Sequence, residues 1–263
     1  MKLKLYHIDA FTDSVFKGNY AAVIVLQEWL DDELMQNIAT ENNLSETAFA
    51  KQISDDCYHI RWFSPICEID FCGHATLATA FVLFRQNAEL DRVTFSAKAV
   101  GDLTVNRAKD DFIEMTFPNR KPEPITEIPK ELLQGLDRKP QEILRNQQAY
   151  FAIYADEKDI NAAKPALEFF KKLAPYDVVI TAASNEYDFK SRYFWPANGG
   201  DEDPVTGSIH AGLAPYWAEK LAKNNLTAMQ ASERGGILQC RVFEDKVVIL
   251  GKAVQYLEGT IDV

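Results

Sequence analysis

The pattern of apolar and polar residues predicts many short strands and only a few helices. In the first half, alternating or continuous apolar runs predict strands at 3–10, 21–26, 47–52, 58–63, 93–97, 102–107 and 112–117. Acids at residues 31–33 predict the first turn of a helix that ends near residue 43. The segment 73–85, GHATLATAFVLFR, is almost wholly apolar, which predicts a helix buried on nearly every side.

The pattern restarts after a proline-rich segment at 118–129, which we interpret as the crossover between two lobes, 1–118 and 130–263. The C-terminal tail is free to cross back to the first lobe. Helices are predicted at 166–173 and 207–223. Strands are predicted at 150–154, 178–182, 187–195, 237–243, 246–250 and 254–257.

A weak internal repeat supports two lobes of like topology. Residues 68–74, EIDFCGH, and 201–208, DEDPVTGS, each carry acids, then a glycine, then an apolar helix. The glycines are Gly73 and Gly207. A glycine that opens a buried helix leaves N–H groups free, which favours binding of an anion. The alternative is simple capping by Thr206 or Ser208.

Composition narrows the function. A net charge of −11 argues against nucleic acid and an anionic membrane surface as partners, since both need clustered cations. We expect neither a signal peptide nor a membrane helix, because no apolar run is long enough. The four cysteines have irregular spacing and predict free thiols in the cytoplasm, and the four histidines lack the spacing of a metal site.

Three polar residues are candidates for proton chemistry. Glu46 stands between a polar turn and an apolar strand, where a carboxylate suits a general base, although most such acids are simply solvated. His74 follows Gly73 and either binds substrate or caps the helix. Asp203 precedes Pro204, which favours an extended backbone that aims the carboxylate over the helix end; otherwise it is an ordinary loop acid.

Five segments, in order, resemble the PhzF-like family of phenazine-biosynthesis-type isomerases. They are residues 9–19 (DAF…FKGN), 43–47 (NLSET), 63–76 (FSP…EIDFCGHAT), 191–196 (SR…FWP) and 202–208 (EDPVTGS). Tyr20 departs from the family, which usually has proline there. The chain is also similar to the wider diaminopimelate-epimerase superfamily. That resemblance implies an α+β fold of two pseudo-repeated lobes, each a curved, mostly antiparallel sheet around a central helix.

The resemblance also implies roles for residues. Glu46 falls on the family's catalytic base, and His74 and Asp203 on its polar partners. The substrate contacts it implies are Ser45, Gly73, Gly207 and Ser208. We therefore expect a cofactor-independent and metal-independent isomerase that moves a proton on a small carboxylate in a cleft between the lobes, with a homodimer as the expected assembly.

Other functions stay open at this stage. The superfamily's best-known epimerases use two cysteines, one before each helix; here Cys72 occupies the first place, and the second junction, 204–207, has none. This favours packing as the role of Cys72. An amino-acid or hydroxy-acid racemase or epimerase, a non-catalytic small-molecule binding protein and a structural protein remain alternatives.

Overall fold

A computed structural model describes all 263 residues, and strands dominate it. The strands are β1 Lys2–Ala10, β2 Asn19–Leu26, β3 Glu46–Gln52, β4 Cys57–Phe63, β5 Glu68–Ile69, β6 Arg92–Ala97, β7 Gly101–Arg107, β8 Ile113–Pro118, β9 Glu123–Pro124, β10 Glu142–Arg145, β11 Ala149–Ile153, β12 Asp177–Ala183, β13 Phe189–Phe194, β14 Glu202–Asp203, β15 Asn225–Gln230, β16 Gly236–Val242, β17 Lys246–Gly251 and β18 Ala253–Asp262.

Six α-helices interrupt the strands, and none of them is long and apolar enough to cross a membrane. They are α1 Asp32–Asn42, α2 Gly73–Gln86, α3 Lys130–Gly135, α4 Glu157–Ala162, α5 Leu167–Phe170 and α6 His210–Leu221.

Every predicted strand is present with shifted ends, whereas two helix predictions need correction. The helix predicted at 166–173 is the single turn α5 followed by a 3-10 turn, Lys171–Leu173, and Pro175 prevents its continuation. The helix predicted from Gly207 begins at His210, because residues 207–209 form a tighter turn in which the His210 N–H donates to the Gly207 carbonyl at 3.1 Å.

Proline inside α6 is accommodated by a hydrogen bond from elsewhere in the chain. Pro215 has no N–H, so it leaves the carbonyl of Ala211 without its helical donor. The backbone N–H of Arg120 fills this place at 3.0 Å. The proline therefore leaves no unpaired carbonyl in the buried helix.

The chain divides into two compact units. The first is Met1–Thr116 with Leu250–Val263, and the second is Phe117–Ile249. The sequence-based second lobe extends to residue 263, but β18 pairs antiparallel with β1 from Lys2↔Asp262 to Ala10↔Ala253, which places the tail in the first unit.

Both units use one pattern of strand pairing. In the first, β1–β2 is antiparallel, β2–β3 parallel, β3–β4 antiparallel, β4–β6 parallel and β6–β7 antiparallel. In the second, β10–β11, β11–β12, β12–β13, β13–β15 and β15–β16 repeat these directions in the same order. The short strands β5 and β14 occupy matching places beside β4 and β13. The predicted α+β fold with two pseudo-repeated lobes is confirmed.

In each unit one apolar helix packs against many strands of its own sheet. Helix α2 contacts β1, β2, β3, β7 and β18, so the first sheet curves around it. Helix α6 packs on β15 and β16, and its Trp217 stacks on Phe189 of β13 and donates to Thr181 of β12. A second apolar layer, under α1 in the first unit and α3–α5 in the second, buries each sheet's other face.

The repeat extends to an ion pair that ties the short strand to its neighbour. Arg61 of β4 binds Glu68 of β5 through two hydrogen bonds of 2.7 Å. Arg192 of β13 binds Glu202 of β14 in the same bidentate way, also at 2.7 Å. Such paired bonds fix direction as well as distance. Each arginine therefore holds the loop that leads to the buried helix of its unit.

Tight packing around Gly251 joins the C-terminal strands to α2. A Cβ atom there would lie 2.4 Å from Cδ1 of the fully buried Phe11 and 3.0 Å from Cδ1 of Leu77 in α2. Neither side chain has free space to move into.

We expect Gly251→Ala to lower the free energy of unfolding by about 1–3 kcal/mol, the usual cost of overpacking a core. Urea unfolding followed by circular dichroism measures this. Gly259→Ala is the matched control, because its Cβ would meet its nearest atom at an ordinary 3.5 Å. Equal stability of the two variants would contradict the packing described.

Candidate active site

The loop between β1 and β2 delivers Asn19 to a buried position. The carboxylate of buried Asp9 accepts a hydrogen bond from the Phe16 N–H at 2.9 Å and so closes the loop. Gly18 has φ +65°, and a Cβ there would lie 2.1 Å from the Ala10 carbonyl oxygen. Only glycine fits this turn. Asp9 and Gly18 of the family-like segment 9–19 therefore position Asn19.

Glu46 is placed by the end of α1 and by a parallel strand pair. Helix α1 ends at Asn43, which takes the left-handed conformation (φ 48°, ψ 35°). Leu44 and the half-buried Ser45 form a bend, and β3 then begins at Glu46, opposite Ala21 of β2. The Glu46 side chain lies on the face of the sheet that α2 covers, against His74, and 9% of it is exposed.

Helix α2 begins with backbone N–H groups that no side chain caps. Cys72 is the N-cap residue, has an extended backbone and makes no capping hydrogen bond with its side chain. Gly73 is the first helical residue and His74 the second. The helix dipole therefore points its positive end, with unpaired donors, at the space beside Gly73.

These elements bring four side chains into one buried cluster. His74 Nε2 lies 2.8 Å from Glu46 Oε2, and His74 Nδ1 lies 3.1 Å from Asn19 Nδ2. The sulfur of Cys72 lies 3.4 Å from His74 Nδ1. Apart from the His74 ring, no group of the protein donates a hydrogen bond to Glu46 Oε2. A second lone pair on this oxygen therefore stays available inside a nearly dry site.

The contacts of His74 favour its charged form. Nε2 faces the Glu46 carboxylate at 2.8 Å, and Nδ1 lies 3.1 Å from the side-chain amide of Asn19 and 3.4 Å from the Cys72 sulfur. Desolvation by burial opposes the charged ring, but the neighbouring Cys72 and Glu46 outweigh it and raise the pKa of His74 well above its ordinary value. The Cys72 thiol is uncharged at neutral pH, so there the charge that favours imidazolium is the Glu46 carboxylate.

Burial raises the pKa of the Cys72 thiol to about 11, and the charge of Glu46 acts in the same direction. Cys72 is therefore a neutral thiol packed against His74, in line with the packing role favoured by the sequence. The candidate ligand atoms of Glu46, Cys72 and His74 lie within 4.8 Å of one another. The spacing of histidines in the sequence gave no sign of this group, which has the donor types that bind zinc.

The second unit arranges Asp203 and the turn at Gly207 by its own contacts. The Thr206 hydroxyl donates to the Asp203 carboxylate, and Gln230 donates to the Asp203 carbonyl at 2.8 Å and accepts from the Thr206 N–H at 2.9 Å. His210 donates from Nδ1 to the Thr206 carbonyl at 2.8 Å; burial lowers the pKa of His210 to about 4, so it is neutral. Ser208 accepts from Gln148 at 2.9 Å.

Sequence reasoning found most of these residues and missed others. Glu46 and His74 are in direct contact, Ser45 precedes Glu46 in the chain, and Gly73 begins α2. Asn19 ends the family-like segment 9–19, but only the structure shows that it contacts His74. Gln148 and Tyr193 were missed. The signal for Tyr193 is the repeat of Arg61-Trp62-Phe63-Ser64-Pro65 in Arg192-Tyr193-Phe194-Trp195-Pro196.

At pH 8 a thiol of pKa about 11 is about one part in a thousand thiolate, so we expect iodoacetamide to label Cys72 at least about tenfold more slowly than the exposed Cys67. Mass spectrometry of peptides from a time course measures both rates in one sample. Labelling of Cys72 as fast as that of Cys67 would show a reactive thiolate and contradict the neutral thiol described above.

Comparison with known proteins identifies the family. The profile of the family described as "Phenazine biosynthesis-like protein" matches residues 8–259. An uncharacterized isomerase of Pseudomonas aeruginosa is 47% identical over 261 residues, which cover 99% of each chain. A crystal structure of a PhzF family protein from Enterococcus faecalis superposes with a TM-score of 0.94 at 42% identity, over 100% of both chains.

A more distant structure shares the fold alone. It is a hydroxyproline epimerase from Agrobacterium vitis, with a TM-score of 0.64 at 12% identity, covering 99% of this chain and 92% of that one. The expected diaminopimelate-epimerase-like architecture agrees with this likeness. The relatives also confirm the prediction that the chain is an isomerase. Because the profile matches most of its length, the chain belongs to the phenazine biosynthesis-like protein family.

Proposed function

We propose that the protein is a cofactor-independent isomerase that moves a proton within a small carboxylate substrate, with Glu46 as the general acid and base. The observation that carries this proposal is the buried Oε2 atom of Glu46, whose single neighbouring donor is the His74 ring at 2.8 Å. A carboxylate oxygen has two lone pairs. The second one is suited to accept a proton from a bound molecule.

The proposed reaction needs one base and no external reactant. Glu46 takes a proton from a carbon next to an activating group, and the electron pair of the broken C–H bond moves into a conjugated enolate-like system. The same carboxyl group then returns the proton to another carbon of that system, which shifts the double bond. Substrate and product are isomers, so no oxidant, reductant or leaving group is required.

His74 and the start of α2 support the negative charge that develops. The N–H groups at Gly73 and the positive end of the helix dipole favour an anion beside them. The ring proton on Nε2 of His74 faces Glu46, and Asn19 holds the opposite nitrogen. In this account His74 orients the base and stabilises its ionised state, while Asn19 fixes the position of the ring.

The family resemblance gives the second unit a share in the reaction. We propose that Asp203 assists proton transfer and that Ser208 and the backbone at Gly207 contact the substrate, with Ser45 contributing from the first unit. Asp203 is half-buried and already accepts a bond from Thr206, so its carboxylate direction is fixed by a neighbouring residue.

Double-bond isomerisation is favoured over inversion of a stereocentre by the chemistry of the two helix starts. Inversion by two thiols needs a proton donor on each face, and only the first start has a cysteine, whose thiol is neutral. A racemase or epimerase that uses carboxylates is the alternative. It would interconvert enantiomers without moving a double bond, which chiral chromatography of the product distinguishes.

The cytoplasmic location, the homodimer and the absence of a metal cofactor stay predictions.

Glu46→Gln keeps the size of the side chain but removes the basic oxygen. We expect it to lower enzyme-dependent exchange of substrate C–H protons in D2O by about 10²–10⁴-fold, measured by NMR over a panel of small β,γ-unsaturated carboxylates and α-amino and α-hydroxy acids. Glu41→Gln, at an exposed position on α1, is the matched control and should exchange at the wild-type rate.

Full exchange by Glu46→Gln would reassign the base. Absence of both exchange and isomerised product with the wild type throughout the panel would favour a non-catalytic binding protein. Dialysis against EDTA should leave the wild-type rate unchanged; loss and recovery with Zn²⁺ would show instead that Glu46, Cys72 and His74 hold a working metal ion.

Asp203→Asn tests the part assigned to the second unit. We expect at least about tenfold slower exchange, because a positioned proton-transfer group is lost while its size is kept. Asp201→Asn, two residues earlier and exposed, is the control. An unaltered rate in Asp203→Asn, with normal folding, would restrict the chemistry to Glu46 and His74.

A further inference from the structure

A chain of hydrogen bonds in the second unit ends at Ser208. Tyr193 donates its hydroxyl proton to Asp177, and Asn198 also donates to Asp177 at 2.7 Å. The amide nitrogen of Gln148 donates to the Tyr193 oxygen at 3.1 Å and to the Ser208 oxygen at 2.9 Å. Asp177, Tyr193 and Gln148 have no part in the proposed proton transfer.

The directions of these bonds are fixed from the carboxylate outward. An ionised carboxylate can only accept hydrogen bonds, so the Tyr193 hydroxyl must donate its single hydrogen bond to Asp177. The Tyr193 oxygen is then left as an acceptor, which requires the nitrogen and not the oxygen of the Gln148 amide to face it. The same nitrogen faces Ser208, so the serine oxygen accepts a hydrogen bond and its own O–H is free to donate elsewhere.

Burial keeps this order intact near neutral pH. Tyr193 is almost fully buried, and desolvation together with the charge of Asp177 raises its pKa far above the ordinary value, so the phenol stays protonated. Burial also raises the pKa of Asp177, whereas the hydrogen bonds from Tyr193 and Asn198 act to lower it.

The internal repeat shows that this chain occupies the place of the catalytic cluster in the other unit. Asp177 is the first residue of β12 and pairs with Ala149, as Glu46 is the first residue of β3 and pairs with Ala21. Tyr193 and Trp62 have the same register next to the short strands. Ser208 follows Gly207 as His74 follows Gly73.

The two units differ at these matched positions. Trp62 has no hydroxyl to donate to Glu46, which is paired with His74, whereas Tyr193 and Asn198 both donate to Asp177. A base must keep a free lone pair, so the second carboxylate is suited to orientation and not to proton abstraction.

We propose that Tyr193 and Gln148 are positioning residues that hold Ser208 as a hydrogen-bond donor to the carboxylate of the substrate. This inference rests on the proposed function, in which Ser208 contacts a carboxylate substrate. It adds a reason why the Ser208 hydroxyl should donate to the substrate and not accept from it. A serine free to rotate would offer its proton only part of the time, and binding would weaken accordingly.

The test uses crotonate, a small conjugated unsaturated carboxylate, as the probe, with its dissociation constant taken from NMR titration of the full-length protein. We expect Gln148→Met and Tyr193→Phe each to weaken binding about 3- to 10-fold, which is the net worth of one hydrogen bond. In a Ser208→Ala background, the same changes should have almost no further effect, because the hydroxyl they orient is absent.

Matched controls separate orientation from general damage. Gln147→Met alters the adjacent glutamine, whose side chain lies against Arg120, and Tyr154→Phe removes a buried hydroxyl that donates to the Arg138 carbonyl. Both should bind crotonate like the wild type. Thermal melting of every variant checks folding.

The outcomes distinguish this inference from the proposed function. If Ser208→Ala weakens binding but Gln148→Met and Tyr193→Phe do not, the positioning role is wrong and the substrate contact stands. Full additivity of Gln148→Met and Ser208→Ala would also overturn the positioning role. If Ser208→Ala binds like the wild type, or the wild type does not bind crotonate, the assigned substrate contact fails, and the inference fails with it.

Discussion

The contact between Glu46 and His74 is the interaction on which the account of this protein depends. A buried carboxylate without a partner is costly, and a buried imidazole favours its neutral form. Placed 2.8 Å apart, each offsets the other's cost while one lone pair of the carboxylate stays unused. The surrounding structure maintains this arrangement. The parallel pairing of β2 with β3 fixes the place of Glu46, and the first turn of α2 carries His74 to it.

The repeated topology explains how one fold supplies two different carboxylate environments. Both units place a carboxylate at the first residue of the second strand of a parallel pair, β3 or β12. Both also hold the loop before the buried helix with a bidentate arginine–glutamate pair. One difference between them arises at a register position where Trp62 stands in one unit and Tyr193 in the other. The Tyr193 hydroxyl donates to Asp177, whereas Trp62 has no hydroxyl to donate to Glu46.

The sequence predicted the strands and the buried helix α2 well, because apolar alternation and composition act locally. It misjudged the start of α6, where a tight turn at 207–209 replaces the helical turn that the glycine suggested. It predicted Glu46, His74 and Asp203 by resemblance, yet could not show that Glu46 and His74 touch, since they are distant in the chain and only the packing of α2 on β3 brings them together. Gln148 gave no signal, because its importance lies in two hydrogen bonds to distant residues.

The central claim is that one buried carboxyl group both removes and returns the proton. The most direct measurement follows a carboxylate that the protein isomerises, labelled with deuterium at the carbon that loses its proton, during turnover in H2O. A single shielded base predicts that part of the label reappears at the new carbon in the first-formed product, detected by mass spectrometry and NMR. Complete loss of the label to solvent from the earliest time point, with solvent protons at the new carbon, would contradict a single shuttling carboxylate at Glu46.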